Sequence, residues 1–277
     1  MKVNHHFLSE VKYIKRDILL YLVEHFYSIQ GEGRYTGTPS LFIRLGGCNM
    51  KCEGFGCSEI APDGVEVQGC DTVYAVNKEH FSQNWIPINT SQELLNILDL
   101  YELPPTTNED RHAVDIVLTG GEPLIYANDE IFVEFLNALN KNGHRICFET
   151  NGSLGVDFER FPVYKESIFA LSIKLSNSGE PLKKRVNGDN IYSLATSSKE
   201  AFFKFSIDAE SITLGLEEEI NDILVHSPKT QVYCMPVGGS KAEVEKNTEP
   251  LIEFCKAKGY NFSDRLHIRI WDQNKGV

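Results

Sequence analysis

No window of about eighteen residues is both apolar and free of charge, which excludes a membrane-spanning helix of ordinary composition. The N-terminus, MKVNHHFLSEVKYIKRD, lacks the short apolar core and small-residue cleavage site of a secretory signal, so a cytoplasmic location and no membrane partner are expected. There is no surplus of positive charge: 27 Lys and Arg face 39 Asp and Glu, a net charge of −12. A chain this acidic makes no global field that gathers phosphate backbones, so nucleic acid is not expected as a partner. Small anions stay open, since a local basic cluster can still hold one. Internal repeats, low-complexity tracts and a convincing linker are also absent, and residues 1–277 read as one domain. At that length, and 42% hydrophobic, the chain can bury a sizeable core without covalent staples.

Seven cysteines are present, an odd number that argues against a disulfide framework in a reducing compartment. Cys147, Cys234 and Cys255 lie in apolar contexts and are expected to pack as small hydrophobes. Cys48, Cys52, Cys57 and Cys70 are clustered, which suggests a metal.

Apolar periodicity alternates between short strand-like and longer helix-like runs. LLYLVEHFYS (19–28), SLFIRLGG (40–47), AVDIVLTGG (113–121), HRICFETNGS, IFALSIKLS, AFFKFSID, QVYCMPVGG and the closing RLHIRIWD read as strands. Between them, NTSQELLNILDLYE carries a capping box of Thr90 and Glu93, and NDEIFVEFLNALNKNG has Asn128 as its expected cap. LEEEINDILVHS is a third helix, and Ser240 with Glu243 opens a fourth, expected to break or restart around Pro250. TTNEDRH (106–112) reads as a polar surface loop, and residues 48 to about 89 show no clean period. Strands alternating with helices of this length predict βα units, a parallel sheet and helices outside it.

Cys48 and Cys52 follow directly on the strand 40–47, where soft thiolates suit zinc or an iron–sulfur cluster. With Cys57 and Cys70 they make a four-thiolate zinc loop; with one further cysteine they hold a cluster that leaves one iron open. Thr119-Gly120-Gly121-Glu122-Pro123 ends a buried strand, where α/β folds bind ligands. Its glycines permit close approach to the backbone, and Glu122 is suited to pair with an amine.

GGCNMKC (46–52) together with TGGEP (119–123) resembles the radical S-adenosylmethionine (SAM) enzymes. The flanks FYSIQGEGRYTGTPSLFIRLGGCN (26–49), CDTVYA (70–75), VLTGGEPL (117–124), FETNGS (148–153), SIK (172–174) and RLHIRIWDQNKGV (265–277) resemble the 7-carboxy-7-deazaguanine synthase family. The likeness runs from about residue 20 to the end, with a cysteine-containing insertion at about 53–69 as the main exception. It implies an α/β partial, TIM-like barrel, with a curved parallel sheet of about six strands and helices outside. It also implies a [4Fe–4S] cluster, SAM and Mg2+, a lyase of queuosine and 7-deazapurine biosynthesis, and a homodimer served by an electron donor such as a flavodoxin or ferredoxin. The implied substrate is 6-carboxy-5,6,7,8-tetrahydropterin, contracted to 7-carboxy-7-deazaguanine with loss of ammonia by a radical that the cluster generates from SAM. No side chain is needed as nucleophile, because the cofactor carries the hard chemistry.

Carried over residue by residue, the resemblance puts Ile29, Gln30, Gly31, Glu32, Arg44 and Thr119 at the substrate, with Arg44 forking onto its carboxylate. Asp71, Gly121, Glu122, Ser172, Lys174 and the run Met235, Pro236, Val237 and Gly238 fall at the SAM site; Ile173 stands where the family has proline. Thr72 matches the magnesium ligand. Cys48 and Cys52 are cluster ligands, and the third is Cys70 before Asp71-Thr72, with Cys57 the alternative. An activase of glycyl-radical enzymes shares the C-x3-C start and GGEP but does not account for QGEG, Arg44 or CDT. A four-cysteine zinc protein accounts for the cysteines alone.

Loop length is a weak obstacle to Cys70, since each doubling of a loop adds only about 0.6 kcal/mol of closure entropy. Cys57→Ser should therefore keep most of the iron and activity, while Cys70→Ser should lose both. Iron analysis after anaerobic reconstitution reads the difference, and the reverse result would move the ligand to Cys57.

Overall fold

Short apolar runs bounded by Gly and Pro fold as strands here, and the longer amphipathic stretches between them as helices. The computed structural model describes residues 19–104 and 113–277; the N-terminal segment and the TTNEDRH loop fall outside them. The strands are β1 (Tyr21–Ile29), β2 (Pro39–Leu45), β3 (Cys57–Ile60), β4 (Glu66–Gly69), β5 (Ile86–Pro87), β6 (Ala113–Gly120), β7 (His144–Thr150), β8 (Ile168–Leu171), β9 (Glu200–Ile207), β10 (Gln231–Pro236) and β11 (Asn261–Phe262). Nine of them form one sheet in the order β11-β10-β9-β8-β7-β6-β2-β1-β5, and β3 and β4 form a separate hairpin. From β2 to β11 neighbouring strands are parallel, while β1 runs antiparallel to both β2 and β5. The sheet is open, with β5 and β11 at its two edges, so the fold is an α/β partial barrel.

Period-two alternation sends successive side chains to opposite faces of each strand. On the outer face, Ile43, Leu118, Phe148, Phe169, Phe203 and Cys234 pack against the helices Glu130–Lys141, Gly188–Ser197, Leu216–Leu224 and Lys241–Lys258. On the inner face, Phe42, Val117, Cys147, Ala170 and Phe202 make a second, smaller apolar cluster that Phe26, Tyr35 and Tyr233 border. Two residues further along the same strands stand Arg44, Thr119, Glu149, Ser172 and Lys204. The inner face thus changes from an apolar plug to a polar layer near the carboxyl ends of the parallel strands. Cys147, Cys234 and Cys255 are all buried, as small hydrophobes.

Several expectations need correction. The sheet has nine strands where about six were expected. The six long parallel ones are β2, β6, β7, β8, β9 and β10, and the additions are the antiparallel β1 and the two-residue β5 and β11. A pair of residues carries no period, so neither short strand is visible in the sequence. RLHIRIWD forms a helix, Leu266–Trp271, rather than a strand. Arg265 and Arg269, four residues apart, sit beside separate carboxylates, Glu32 and Asp71 for one and Asp264 and Glu245 for the other. A helical turn satisfies both while burying Ile268. The helix Lys241–Lys258 continues through Pro250, because Val244 and Leu251, both fully buried, anchor it on either side of a break that costs about 3 kcal/mol. Asp129, not Asn128, caps Glu130–Lys141, accepting from the amide of Phe132 at 3.0 Å. Among the described residues no helix is long and apolar enough to cross a membrane.

Phe148 is fully buried, stacked on Phe169 at 5.0 Å between ring centroids and met edge-on by Phe132. Phe148→Ala is expected to destabilise the protein by about 3–5 kcal/mol, read from the urea midpoint at unchanged slope.

Candidate functional site

The carboxyl ends of the parallel strands surround a cleft of about 1090 Å3. That exceeds the volume of a site for one small molecule, so it has room for two ligands side by side. Every sequence-predicted site residue lines it except Glu122 and Pro236.

The cysteines converge on one lobe through the hairpin. The chain leaves Cys52 in a left-handed conformation (φ 52°), runs up β3, turns at Ala61–Val65 around Gly64 (φ +85°), and returns along β4. Cys57 pairs with Gly69 across the hairpin, and Gly69 comes so close to the first loop that a methyl on it would sit 3.1 Å from the carbonyl oxygen of Lys51. Cys70 is thereby delivered back beside Cys52. Burial, with Glu122 adding to it, pushes the Cys48 thiol up to about 12. Burial likewise takes Cys52 and Cys57 to about 11 each and raises Cys70. Cys48 feels the charges of Cys52 and Cys70, and Cys52 that of Cys70, whereas the charges that weigh most on Cys57 are Asp71 and then Cys70. Among the described residues no group of three or more His, Cys, Asp or Glu is arranged to hold a single metal ion. A cubic cluster makes no such demand, since each thiolate takes its own corner. Three soft thiols facing an open cleft, Cys52 buried and Cys48 and Cys70 half-buried, therefore fit an iron–sulfur cluster whose binding displaces their protons.

The polar layer forms the other lobe. Arg44 donates from Nε to Glu24 Oε1 at 2.7 Å, and Tyr74 donates to the same oxygen at 2.8 Å. Among the described residues the Nη atoms of Arg44 make no hydrogen bond, which leaves its fork for an incoming carboxylate. Lys204, 4% exposed, donates to Glu32 Oε2 at 2.8 Å and to Glu149 Oε1 at 3.1 Å. Glu149 also receives Thr119 Oγ1 at 3.2 Å and Gln30 Nε2 at 3.4 Å. Arg265 donates to Glu32 at 2.8 Å and to Asp71 at 2.7 Å. Burial alone would raise Glu32, but Lys204 and Arg265 hold it well below the usual carboxylate range. Lys204 is raised against its own burial by Glu149 and Glu32.

Several predicted residues have duties within the fold. Gln30 spends its backbone N–H on Thr38 and its carbonyl on Gly37, so its side chain, not its backbone, is what faces the cleft. A side chain at Gly31 would meet His267 Nδ1 at 2.2 Å, so glycine there admits the C-terminal helix. Glu122 is expected at an amine but lies outside the cleft lining. Its oxygens accept from Leu124 N, Thr150 Oγ1 and Asn151 N at 2.7–2.9 Å, clamping the end of β6 to β7. At Gly121 a Cβ would fall 2.2 Å from the carbonyl oxygen of Gly47, so that glycine seats the cysteine loop. Ile173, which replaces proline, packs in the core between Ser172 and Lys174, and Lys174 reaches Ser172 Oγ at 3.4 Å. Thr72 Oγ1 lies 3.4 Å from Cys70 Sγ, and Met235, Val237 and Gly238 close the far wall while Pro236 points away.

Sequence reasoning passed over Glu24, Glu149, Lys204, Arg265 and His267. Lys204 gives the same signal as Arg44, a lone cation in an apolar strand, AFFKFSI. Arg265 and His267 stood in a segment read as a closing strand, a reading that does not bring them to Glu32 and Gly31.

No family model matches the chain. A curated 7-carboxy-7-deazaguanine synthase from Hyperthermus butylicus is 30% identical over 260 residues, covering 91% of this chain and 93% of that protein. The proteins of the same name from Rhodopirellula baltica and Halobacterium salinarum are 28% and 25% identical, covering 93% and 90% of this chain and 89% of each relative. Among solved structures, QueE from Escherichia coli superposes with a TM-score of 0.58 at 20% identity, covering 90% of this chain and 95% of that one, a likeness of fold.

Lys204→Met would leave Glu32 and Glu149 buried without their shared cation, at an expected cost of about 3–5 kcal/mol in chemical denaturation. In the wild type, the depressed Glu32 contributes stability above its unfolded value of about 4.5, which should fade as pH falls below it.

Proposed function

Because the chain belongs to the 7-carboxy-7-deazaguanine synthase family, we infer that its cleft carries out that family's radical SAM reaction: ring contraction of 6-carboxy-5,6,7,8-tetrahydropterin to 7-carboxy-7-deazaguanine with loss of ammonia. The cofactors are SAM and a [4Fe–4S] cluster. Held by Cys48, Cys52 and Cys70, the cluster would supply the electron for reductive cleavage of SAM and so the radical chemistry that the ring contraction needs. The observation that carries the reading is one cleft with three converging thiols in one lobe and a cationic fork, Arg44, in the other.

Cys48, Cys52 and Cys70 are the proposed cluster ligands. Arg44 orients the substrate carboxylate with its Nη atoms while Glu24 holds its Nε. Thr119, Gln30 and Glu32 border the ring, and the cations Lys204 and Arg265 keep Glu32 ionised as an acceptor. Ser172, Lys174, Gly121 and the Met235, Val237 and Gly238 wall take SAM. Thr72 is the residue that would hold Mg2+, an ion that would keep most of its water. The apolar plug beneath the polar layer excludes solvent from below. A cytoplasmic homodimer, reduced by a flavodoxin or ferredoxin, completes the proposal. An activase of glycyl-radical enzymes or a four-cysteine zinc protein has no use for Arg44 and its Glu24 support.

Anaerobic reconstitution should give about four irons per chain and SAM cleavage under a strong reductant. Zinc alone without cleavage would overturn the reading. Arg44→Ala should leave substrate-free SAM cleavage largely intact and weaken pterin binding about tenfold to a few hundredfold, the equivalent of a lost charge-assisted hydrogen bond. An unchanged apparent affinity would remove Arg44 from the site.

A further inference from the structure

Behind the Cys48 thiol stands a closed ring of side-chain hydrogen bonds that the proposed reaction does not use. Asn49 Nδ2 donates to Ser153 Oγ at 2.8 Å, Ser153 Oγ donates to Asn151 Oδ1 at 2.6 Å, and Asn151 Nδ2 donates to Asn49 Oδ1 at 2.9 Å. A carboxamide fits a site either way round unless its partners choose, and here one backbone group chooses for the whole ring. The amide of Ser153 can only donate, and it reaches Asn151 Oδ1 at 2.9 Å. That makes the other end of Asn151 the donor, Asn49 Oδ1 the acceptor, and Asn49 Nδ2 the donor to Ser153. Asn151 and Ser153 are both buried, and Asn49 is half-buried. The ring is also held from outside. Asn151 N donates to Glu122 Oε2 and Asn190 Nδ2 to the carbonyl oxygen of Ser153, each at 2.7 Å. Asn49 thus enters a rigid socket just past the end of β7, and only one orientation of its side chain completes the ring.

The residues on either side of Asn49 make a bond of their own. The backbone amide of Met50 donates to Cys48 Sγ at 3.3 Å, and Asn49 Oδ1 stands 4.0 Å from the same sulfur. Neither Asn49 nor Ser153 lines the cleft, so both act at a distance from any ligand there. We propose that Asn49 is a positioning residue for the Cys48 corner of the cluster: locked by Asn151 and Ser153, it holds the Met50 N–H on the sulfur and so raises the potential at which the cluster gains its electron. The proposal rests on the cluster reading above. A hydrogen bond to a ligand sulfur stabilises the more negative, reduced cluster, and its loss lowers the potential.

The test compares the wild type with Asn49→Ala, which empties the socket, and Ser153→Ala, which removes one bond of the ring and leaves the thiol loop itself unchanged. Spectroelectrochemical titration of the anaerobically reconstituted cluster should give a lower midpoint in both variants, with iron content at the wild-type level. In metal-free protein, timed alkylation at a single pH, read by peptide mass spectrometry, should label Cys48 about fivefold faster in both. That factor is the equivalent of one lost hydrogen bond, and labelling of Cys52 and Cys70 should not change. A wild-type midpoint in both variants at full iron content would overturn the proposal. So would faster labelling of all three thiols together, which a general loosening of the fold produces. A wild type that assembles no cluster counts instead against the cluster reading, and the labelling of metal-free protein still decides whether Asn49 positions Cys48.

Discussion

The arrangement depends most on one buried ammonium. Lys204 rises from β9 into the cleft, 4% exposed, and is bonded to Glu32 from the β1–β2 connection and to Glu149 from β7. An isolated charge at that depth would cost several kcal/mol, so the two carboxylates and the lysine hold one another in place or none of them is tolerable. Arg265 extends the set through Glu32 to Asp71, next to the third thiol of the proposed cluster. Five distant stretches of chain are thus tied around one space before any ligand arrives. The low dielectric that makes the network expensive also makes its field at a bound substrate strong.

Much of this was legible from residue types. The six long parallel strands announced themselves as apolar runs, and the C-x3-C loop and GGEP turn stand at strand ends where α/β folds bind ligands. The polar layer was only half visible. Arg44 came from the family resemblance, but Lys204, also a cation in an apolar strand, draws its meaning from a strand order that brings β9 within reach of Glu32. Arg265 and His267 were hidden by a local pattern, since R-L-H-I-R-I alternates like a strand and becomes a helix only because carboxylates on other elements receive its arginines.

The glycines teach a related lesson. Gly31 and Gly121 invite a reading as places where ligands approach the backbone, yet in both cases the close neighbour is protein: His267 for one and Gly47 for the other. Their smallness serves the assembly of the walls. Glu122 belongs to the same group, its carboxylate binding two backbone amides and one hydroxyl to set the distance between neighbouring strand ends.

The hairpin between Cys52 and Cys70 has a consequence for how such sites vary. Because β3 and β4 pair with each other and Gly69 returns to touch Lys51, the excursion closes at its own base. What happens beyond that base is mechanically decoupled from the positions of the sulfurs. Interval length in the sequence is therefore a free variable at this point, whereas the contact between Gly69 and Lys51 is not. A search that identifies such chains by cysteine spacing would pass over this one, while one that asks for a small residue immediately before the last thiol would not.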